Sequence, residues 1–340
     1  MTQKNLVVAH LEAAPGTSAR GRIVVGSEQD GTELALPALI MNGARPGPTV
    51  YLGALIHGNE PSGAEVIRRI MREDVDPKKL SGSIIAIPIQ NPLAFRSSTY
   101  HSLEDGLNAN RIFPGDASET LTNRCVAAIS KHALDQSGYV LDIHCNVRDS
   151  ILFNFTRWNG TPAAEESVAI SKAFGFTTVI SEAKRHGFGF EERLVGLLAD
   201  TSLGQGKPTL TVELTPSYDF VKPIIDAGVR GVLNVLKHLK MLKGAVEEQP
   251  ESLPIIRQVL GPQLRMTPER GGFVHPQVAI GALVKKGATV VIVRDPFGDV
   301  IDEVKSPADG YVLSFPHHGN QAAASGDVVA FVAPPHATIH

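Results

Sequence analysis

The chain has 340 residues, 43% of them hydrophobic, and its mean hydropathy of +0.01 is typical of a globular protein rather than a disordered one. Its 32 basic and 35 acidic residues give a net charge of -3 without a basic block, so neither nucleic acid nor a membrane is expected as a partner. A small-molecule partner is expected instead, and a homo-oligomer is left open. The N-terminal apolar run is too short for a signal peptide, and two cysteines give no disulfide framework, so a cytoplasmic location is expected.

The first domain is predicted to begin with a β-hairpin over residues 19–42 that lies ahead of the main sheet. Downstream, the apolar run Val50 to Ile56 stops abruptly at a turn that contains His57 and Glu60, which predicts a buried strand ending at that turn. A segment with helical periodicity and a second apolar strand follow directly. Strand, helix and strand in succession predict a parallel βαβ unit.

The rest of this domain continues the alternation. The segment Phe95 to Gly115 has no periodicity, and loops of that length are usually functional. An apolar strand then ends at His144, and a later β-rich run carries the single carboxylate Glu213. Many glycines and charges over residues 182–206 predict a lid followed by a helix. We therefore predict an α/β fold whose mixed, mainly parallel twisted sheet has helices on both faces.

A change of composition marks a second domain. The polar, proline-bearing segment 247–254 is predicted to link a catalytic domain of residues 1–246 to a small domain of residues 255–340. Short strands separated by glycine turns follow the linker with hardly a helical pattern. The second domain is therefore predicted to be all-β.

Part of this β domain is similar to known carrier proteins. The segments Ala282 to Gly287, Val304 to Val312 and Gly326 to Ala330 resemble biotinyl and lipoyl carrier domains, which implies a barrel-sandwich fold. Those carriers present a modified lysine at a hairpin tip, whereas this chain has Arg294 to Gly298 there. A carrier function is therefore not expected.

Three side chains at predicted strand ends form a candidate metal site. His57, Glu60 and His144 supply two imidazoles and one carboxylate, a common ligand set for catalytic zinc because it leaves a fourth position for water. The alternative is that the first two belong to an ordinary turn and that the third is a core histidine. Asp142 shares a strand face with His144 and could orient its imidazole, or it could cap a neighbouring helix.

Four further side chains are candidates for catalysis and substrate binding. Glu213 is costly to bury alone and could take a proton from water, although it could also lie on an exposed edge strand. Asn110 and Arg111 suit the capture of a substrate carboxylate, and Arg96 could polarise a carbonyl oxygen. The alternative for the loop arginines is that they are simply solvated.

Four motifs occur together in a fixed order along the chain. They are His57-Gly58-Asn59-Glu60, Asn110-Arg111-Ile112-Phe113-Pro114-Gly115, Asp142-Ile143-His144 and Val212-Glu213-Leu214-Thr215. This pattern resembles the succinylglutamate desuccinylase/aspartoacylase family, which is itself similar to the zinc carboxypeptidases. The resemblance covers about the first two-thirds of the chain.

The resemblance implies a role for each matched residue. It implies that His57, Glu60 and His144 hold one zinc ion. It also implies that Glu213 is the general base and that Asn110 and Arg111 bind the substrate carboxylate.

The sequence thus predicts a zinc-dependent amidohydrolase that removes a small acyl group from an N-acyl amino acid or a related metabolite. Arg96 departs from the family pattern, because aspartoacylases keep an arginine closer to the Asn-Arg pair, and this chain has Tyr100 to Asp105 in that neighbourhood. That difference puts an aspartate-type substrate in doubt. The alternatives are a metallocarboxypeptidase acting on peptides and a non-catalytic binding or assembly protein.

Overall fold

A computed structural model describes residues 3–182, 196–316 and 321–339. The strands of the first part of the chain are β1 (Leu6–Val8), β2 (Leu11–Ala13), β3 (Thr17–Ser27), β4 (Glu33–Asn42), β5 (Arg45–Ala54), β6 (Ser81–Ile87), β7 (Tyr139–Cys145), β8 (Phe153–Trp158), β9 (Thr177–Glu182) and β10 (Thr209–Leu214). The helices are α1 (Ser62–Arg69), α2 (Pro92–Ser97), α3 (Leu121–His132), α4 (Pro162–Phe174), α5 (Leu198–Gly204) and α6 (Lys222–His238). The strands of the C-terminal part are β11 (Leu264–Met266), β12 (Gly272–Pro276), β13 (Leu283–Val284), β14 (Thr289–Arg294), β15 (Val300–Lys305), β16 (Gly310–Ser314), β17 (Ala322–Ala323) and β18 (Ala330–Ala333).

An eight-stranded mixed sheet in the order β3-β4-β6-β5-β7-β10-β8-β9 forms the centre of the molecule. Strands β6, β5, β7 and β10 run parallel to their neighbours within that group, whereas β8 is antiparallel to β10. The hairpin of β3 and β4 does not stand ahead of the sheet as predicted. It forms one edge of the sheet, because β4 pairs with β6 in antiparallel register. The mixed α/β class is confirmed.

Helices cover both faces of the sheet, as the sequence predicted. On one face, α1, α4 and α6 bury apolar side chains such as Val66, Phe174 and Val232 against the strands. On the other face, α3 buries Cys125 and Ile129 in a second apolar cluster. The central strands are apolar on both faces because both are covered, which is typical of parallel sheets in α/β proteins.

The C-terminal part of the chain consists of two four-stranded antiparallel sheets, in the orders β11-β18-β16-β13 and β15-β14-β12-β17. Their shared core is built largely of valines, including Val274, Val291 and Val312. This β domain is joined to the edge of the main sheet by backbone hydrogen bonds, such as the 2.8 Å bond from Leu260 N to Thr178 O. The two parts therefore share a continuous packed boundary.

A bilayer crossing would need a longer and more apolar helix than any in the described part of the chain. Residues 182–206 were predicted to form a lid followed by a helix, and positions 183–195 of this segment lie outside the described residues. In its described portion, the helix α5 begins at Leu198.

The packing of α6 against α4 gives a test of the fold. Gly231 on α6 has no room for a side chain, because a Cβ would collide with the ring of Phe174. Alanine is a better helix former than glycine by about 1 kcal/mol, but overpacking a core costs about 1–3 kcal/mol. We expect Gly231→Ala to lower the free energy of unfolding, measured by chemical denaturation. Gly204→Ala is the control, since nothing lies near its Cβ position, and a stabilised Gly231→Ala protein would contradict this packing.

Candidate metal centre and active site

Three adjacent parallel strands end at the same edge of the sheet and carry the candidate residues there. Ala54, the last residue of β5, pairs with Ile143 on β7, and His144 on β7 pairs with Glu213 on β10. Laterally paired residues of a sheet point to the same face. The register therefore places the imidazole of His144 and the carboxyl group of Glu213 side by side.

The turn after β5 brings a second histidine to the same place. Leu55 has a φ of 52°, a left-handed conformation that costs energy for a bulky side chain and is frequent at functional sites. Gly58 then approaches α2 so closely that any Cβ would collide with the carbonyl group of Ala94, and its N–H donates to Thr99 O at 2.8 Å. Only glycine fits at this position, and the close approach directs His57 towards the end of β7.

Glu60 lies between the two histidines. Its Oε1 is 2.9 Å from His57 Nδ1, and its Oε2 is 2.9 Å from His144 Nδ1 and accepts from the N–H of Cys145 at 3.2 Å. The other ring nitrogen of His144, Nε2, is 2.7 Å from Asp142 Oδ2. All three members of this cluster are buried. Of the two alternatives for Asp142, the observed contact is with the imidazole.

Two effects set the pKa values in this cluster: burial, and the attraction between the carboxylates and the imidazoles. Burial acts to raise the pKa of Glu60, but the two histidines outweigh it and lower the pKa to about 2. Burial acts to lower the pKa of His144, but Asp142 and Glu60 outweigh it and raise the pKa well above its ordinary value. At His57 burial prevails, and the pKa is lowered.

The same three side chains fit a metal ion. One potential ligand atom from each of His57, Glu60 and His144 lies within 4.8 Å of the others, and both Nδ1 atoms face one carboxylate. Two imidazoles and a carboxylate can hold a divalent cation, and a carboxylate bonded to the far nitrogen of a ligand imidazole fixes its tautomer. This cluster could therefore hold a metal ion.

Glu213 stands beside this cluster in the wall of the cavity. Burial raises the pKa of Glu213 to about 8, with Glu60 and Asp142 adding to the rise and His144 opposing it. A carboxyl group with a raised pKa next to a metal site can accept and return a proton near neutral pH. The alternative of an exposed edge strand is excluded, because β10 lies between β7 and β8.

The cluster opens into a cavity of about 370 Å³, a size typical of a small-molecule site. Residues from both parts of the chain line it. They are His57, Tyr100, Asn110, Arg111, His144, Asn146, Phe155, Arg157, Ser181, Leu197, Ala199, Thr211, Glu213, Pro262, Gln263, Leu264, Arg265, Pro307 and Phe331. The β domain thus forms one side of the cavity.

Residues 46–239 match the family model of the succinylglutamate desuccinylase/aspartoacylase catalytic domain. The chain belongs to this family. The matched region contains the His57-Glu60-His144 cluster and Glu213, whereas the side of the cavity formed by the β domain lies beyond it.

Individual known proteins extend the similarity over most of the chain. This chain is 26% identical over 298 residues to the N-alpha-acetyl-L-2,4-diaminobutyric acid deacetylase of Halomonas elongata, covering 84% of this chain and 82% of that protein. A solved succinylglutamate desuccinylase/aspartoacylase from Rhodobacter sphaeroides superposes with a TM-score of 0.81 at 24% identity, covering 94% of this chain and 95% of that one. The ectoine utilization protein EutE (DoeB) of Ruegeria pomeroyi gives a TM-score of 0.81 at 22% identity, covering 98% and 100%. These two structures share the fold of both parts of this chain.

The Asn-Arg motif of this aspartoacylase-family chain lies at the cavity. Asn110 Oδ1 accepts from Leu198 N at 2.9 Å, which joins the motif to the start of α5. The guanidinium of Arg111 donates to Asn110 O at 2.7 Å and lines the cavity. The structure therefore brings both residues to the site, with the amide oxygen of Asn110 already engaged by the backbone.

Arg96 is not brought to the site. Its guanidinium forms two hydrogen bonds with Glu28, at 2.6 and 2.8 Å, and its side chain is 49% exposed. It does not line the cavity. The prediction that Arg96 polarises a carbonyl is not supported, because the glutamate of the β3–β4 hairpin holds the arginine at the surface.

Two residues of the site were not singled out from the sequence. Tyr100 stacks on the imidazole of His57, with ring centroids 3.8 Å apart, and Arg157 lines the cavity while paired with Asp200 at 2.7 and 3.0 Å. Tyr100 lies in the long segment without periodicity. That segment was predicted to be functional, but its pattern does not indicate which of its residues takes part. Arg157 lies on β8, a strand that the sequence pattern does not predict.

The raised pKa of Glu213 gives a test of its environment in the metal-free protein. The folded state holds a proton up to about pH 8, whereas an unfolded glutamate loses it near its ordinary value of 4.5, so wild-type stability falls as pH rises between these values. The amide of glutamine does not titrate, so the Glu213→Gln variant lacks this loss of stability. We expect Glu213→Gln to raise the melting temperature in the presence of a chelator, by an amount that grows from about pH 5 to about pH 8 and then levels off.

Glu248→Gln is the matched control, because its side chain is exposed in the polar segment after α6. Its effect should not change with pH. A gain at Glu213→Gln that is equal at both ends of the pH range would show that the folded protein does not hold this proton.

Proposed function

We propose that this chain is a zinc-dependent deacylase that hydrolyses the amide bond of a small N-acyl amino acid or a related metabolite. The observation that carries the proposal is the buried His57-Glu60-His144 cluster beside a carboxyl group of raised pKa in a cavity of small-molecule size. Family membership and the similarity to a deacetylase from Halomonas elongata support the same reaction class.

The ligand set favours zinc. Two histidines and one glutamate are the protein ligands of several zinc hydrolases, and three ligands leave the fourth tetrahedral position open. When bound there, zinc supplies a Lewis acid that polarises a carbonyl oxygen and makes water more acidic. His57 and His144 would hold the ion through nitrogen, and Glu60 would hold it through a carboxylate oxygen.

Glu213 is the proposed general base and acid. Its carboxylate takes one proton from the water that attacks the amide carbonyl, and the same carboxyl group then gives that proton to the leaving amine nitrogen. Water gains a bond to carbon and the C–N bond breaks, so the products are an acid and an amine. A pKa near neutral pH suits both directions of transfer.

The substrate carboxylate is proposed to bind at Asn110 and Arg111. The guanidinium of Arg111 lines the cavity, and guanidinium groups bind carboxylates through two parallel hydrogen bonds. Arg157 adds a second positive side chain to the wall, although Asp200 already pairs with it. The position of Arg111 favours a small anionic substrate without any contribution from Arg96.

The β domain is proposed to restrict the substrate to small molecules. Its residues Gln263, Pro307 and Phe331 form one side of the cavity and take up the space that a longer peptide would need. We also propose that this domain, residues 255–340, has the barrel-sandwich fold of the carrier domains, which its paired sheets around a valine core support. A deacylase is therefore favoured over a metallocarboxypeptidase.

The catalytic assignment is tested by two substitutions with opposite effects on the metal. Glu213→Gln should keep about one zinc ion per chain and lose about 100- to 10,000-fold in kcat, which is the usual contribution of a general base. His57→Ala should lose the metal as well as the activity. Metal content by mass spectrometry and hydrolysis of acetyl, succinyl and formyl amino acids are the measurements, with short peptides as the comparison substrates.

Two outcomes of this experiment would contradict the proposal. Near-normal turnover by Glu213→Gln would remove Glu213 from the reaction. Faster hydrolysis of peptides than of every N-acyl amino acid would favour a metallocarboxypeptidase. Glu248→Gln serves as the control for a glutamate outside the cavity.

The carboxylate-binding role is tested by comparing two arginines. A charge-assisted hydrogen bond contributes about 1.5–3 kcal/mol, so Arg111→Ala should lower kcat/KM by about 10- to 100-fold. Arg96→Ala should leave kcat/KM almost unchanged, because its guanidinium pairs with Glu28 at the surface. Equal losses in the two variants, measured on the same N-acyl amino acid, would contradict the assignment of Arg111.

A further inference from the structure

A chain of buried polar side chains extends from the metal cluster into the apolar core of the sheet. The hydroxyl of Tyr51 donates to Gln90 Oε1 at 2.9 Å, and Gln90 Nε2 donates to Asp142 Oδ1 at 2.8 Å. The other oxygen of Asp142 is 2.7 Å from His144 Nε2. Tyr51 and Gln90 are completely buried. Four side chains, from β5, from the turn after β6 and from β7, thus form one continuous network.

The chemistry of the four groups allows only one direction of donation. The amide nitrogen of Gln90 donates to Asp142, so the amide oxygen of Gln90 faces Tyr51. Tyr51 must therefore donate, and His144 must donate through Nε2. The consequence reaches the His57-Glu60-His144 cluster. When His144 is the neutral imidazole that a metal requires, a proton on Nε2 leaves its lone pair on Nδ1, the nitrogen that faces Glu60.

The sheet leaves space for this network. Gly53 pairs with Asp142 across the β5–β7 boundary, and a Cβ on it would lie 2.8 Å from the amide of Gln90 and from the ring of Tyr51. A side chain at this position would displace both groups. The absence of a side chain on Gly53 therefore permits the amide to reach Asp142.

We propose that Tyr51 and Gln90 are positioning residues that act through Asp142 to fix the tautomer and the ring orientation of the metal ligand His144. This inference rests on the proposed function, since it needs a metal at the His57-Glu60-His144 cluster. Groups that orient a ligand histidine typically contribute about 10- to 100-fold to metal affinity.

Stability alone does not account for this network. Burying an amide and a phenol costs free energy unless every polar atom is paired, and apolar side chains of similar size would fill the same space without that requirement. The side-chain hydrogen bonds of Tyr51 and Gln90 connect these two residues to each other and to Asp142, which contacts His144. The arrangement therefore serves the imidazole at its end.

The test separates metal affinity from folding stability. Gln90→Met keeps the length of the side chain but removes the donor to Asp142 and the acceptor for Tyr51, and it should weaken zinc binding by about 10-fold or more. The control is Gln249→Met, because Gln249 is also buried but donates to Phe174 O and Ala227 O, away from the cluster. It should lose stability and bind zinc as wild type does. Zinc affinity is measured by competition with a chromophoric chelator, and stability by thermal unfolding of the metal-free proteins.

Tyr51→Phe keeps the test valid if Gln90→Met does not fold, since it removes only one hydroxyl group. Its zinc affinity should lie between those of wild type and Gln90→Met, or measurably below wild type if it is the only variant that folds. Variants that lose stability but bind zinc as tightly as wild type would overturn the positioning role and leave the proposed function intact. A wild-type protein that does not bind zinc would overturn both.

Discussion

The register of the three strands β5, β7 and β10 is the constraint on which the site depends. His144 and Glu213 are lateral partners on neighbouring parallel strands, so their side chains emerge on the same face. A slip of one residue would turn Glu213 towards the opposite face of the sheet. The apolar clusters on both faces oppose such a slip, because each strand would then present the wrong side chains to both helix layers. The packing that holds the sheet together therefore also sets the geometry of the site.

Two carboxyl groups at this site differ in protonation because of their surroundings. Glu60 lies between two imidazoles, which lower its pKa to about 2, while burial near other acids raises the pKa of Glu213 to about 8. Such a separation of pKa values is the pattern expected where one carboxylate binds a cation and the other moves a proton. The fold produces this difference in pKa by placing the two groups on different elements, because Glu60 lies in the turn after β5 and Glu213 lies within β10.

The cavity is lined by both the α/β region and the C-terminal β domain. The His57-Glu60-His144 cluster lies within the segment that matches the aspartoacylase family model, whereas Pro307 and Phe331 belong to the β domain beyond it. Backbone hydrogen bonds between Leu260 and β9, together with a shared apolar cluster around Leu313, hold the two parts against each other. The wall of the cavity is thus built by two regions of the chain that share one packed boundary.

The sequence by itself determined the α/β class and the residues expected to meet at a metal, because abrupt strand ends and residue types are visible locally. Strands β8 and β9 are not predicted, since Asn154 and Thr156 on β8 are buried polar residues that break the apolar pattern. Only the tertiary structure decided that Arg96 pairs with Glu28, that Arg157 reaches the cavity, and that Tyr51 and Gln90 connect to His144. These facts depend on contacts between residues far apart in the chain, and the spacing of residues along a sequence does not encode such contacts.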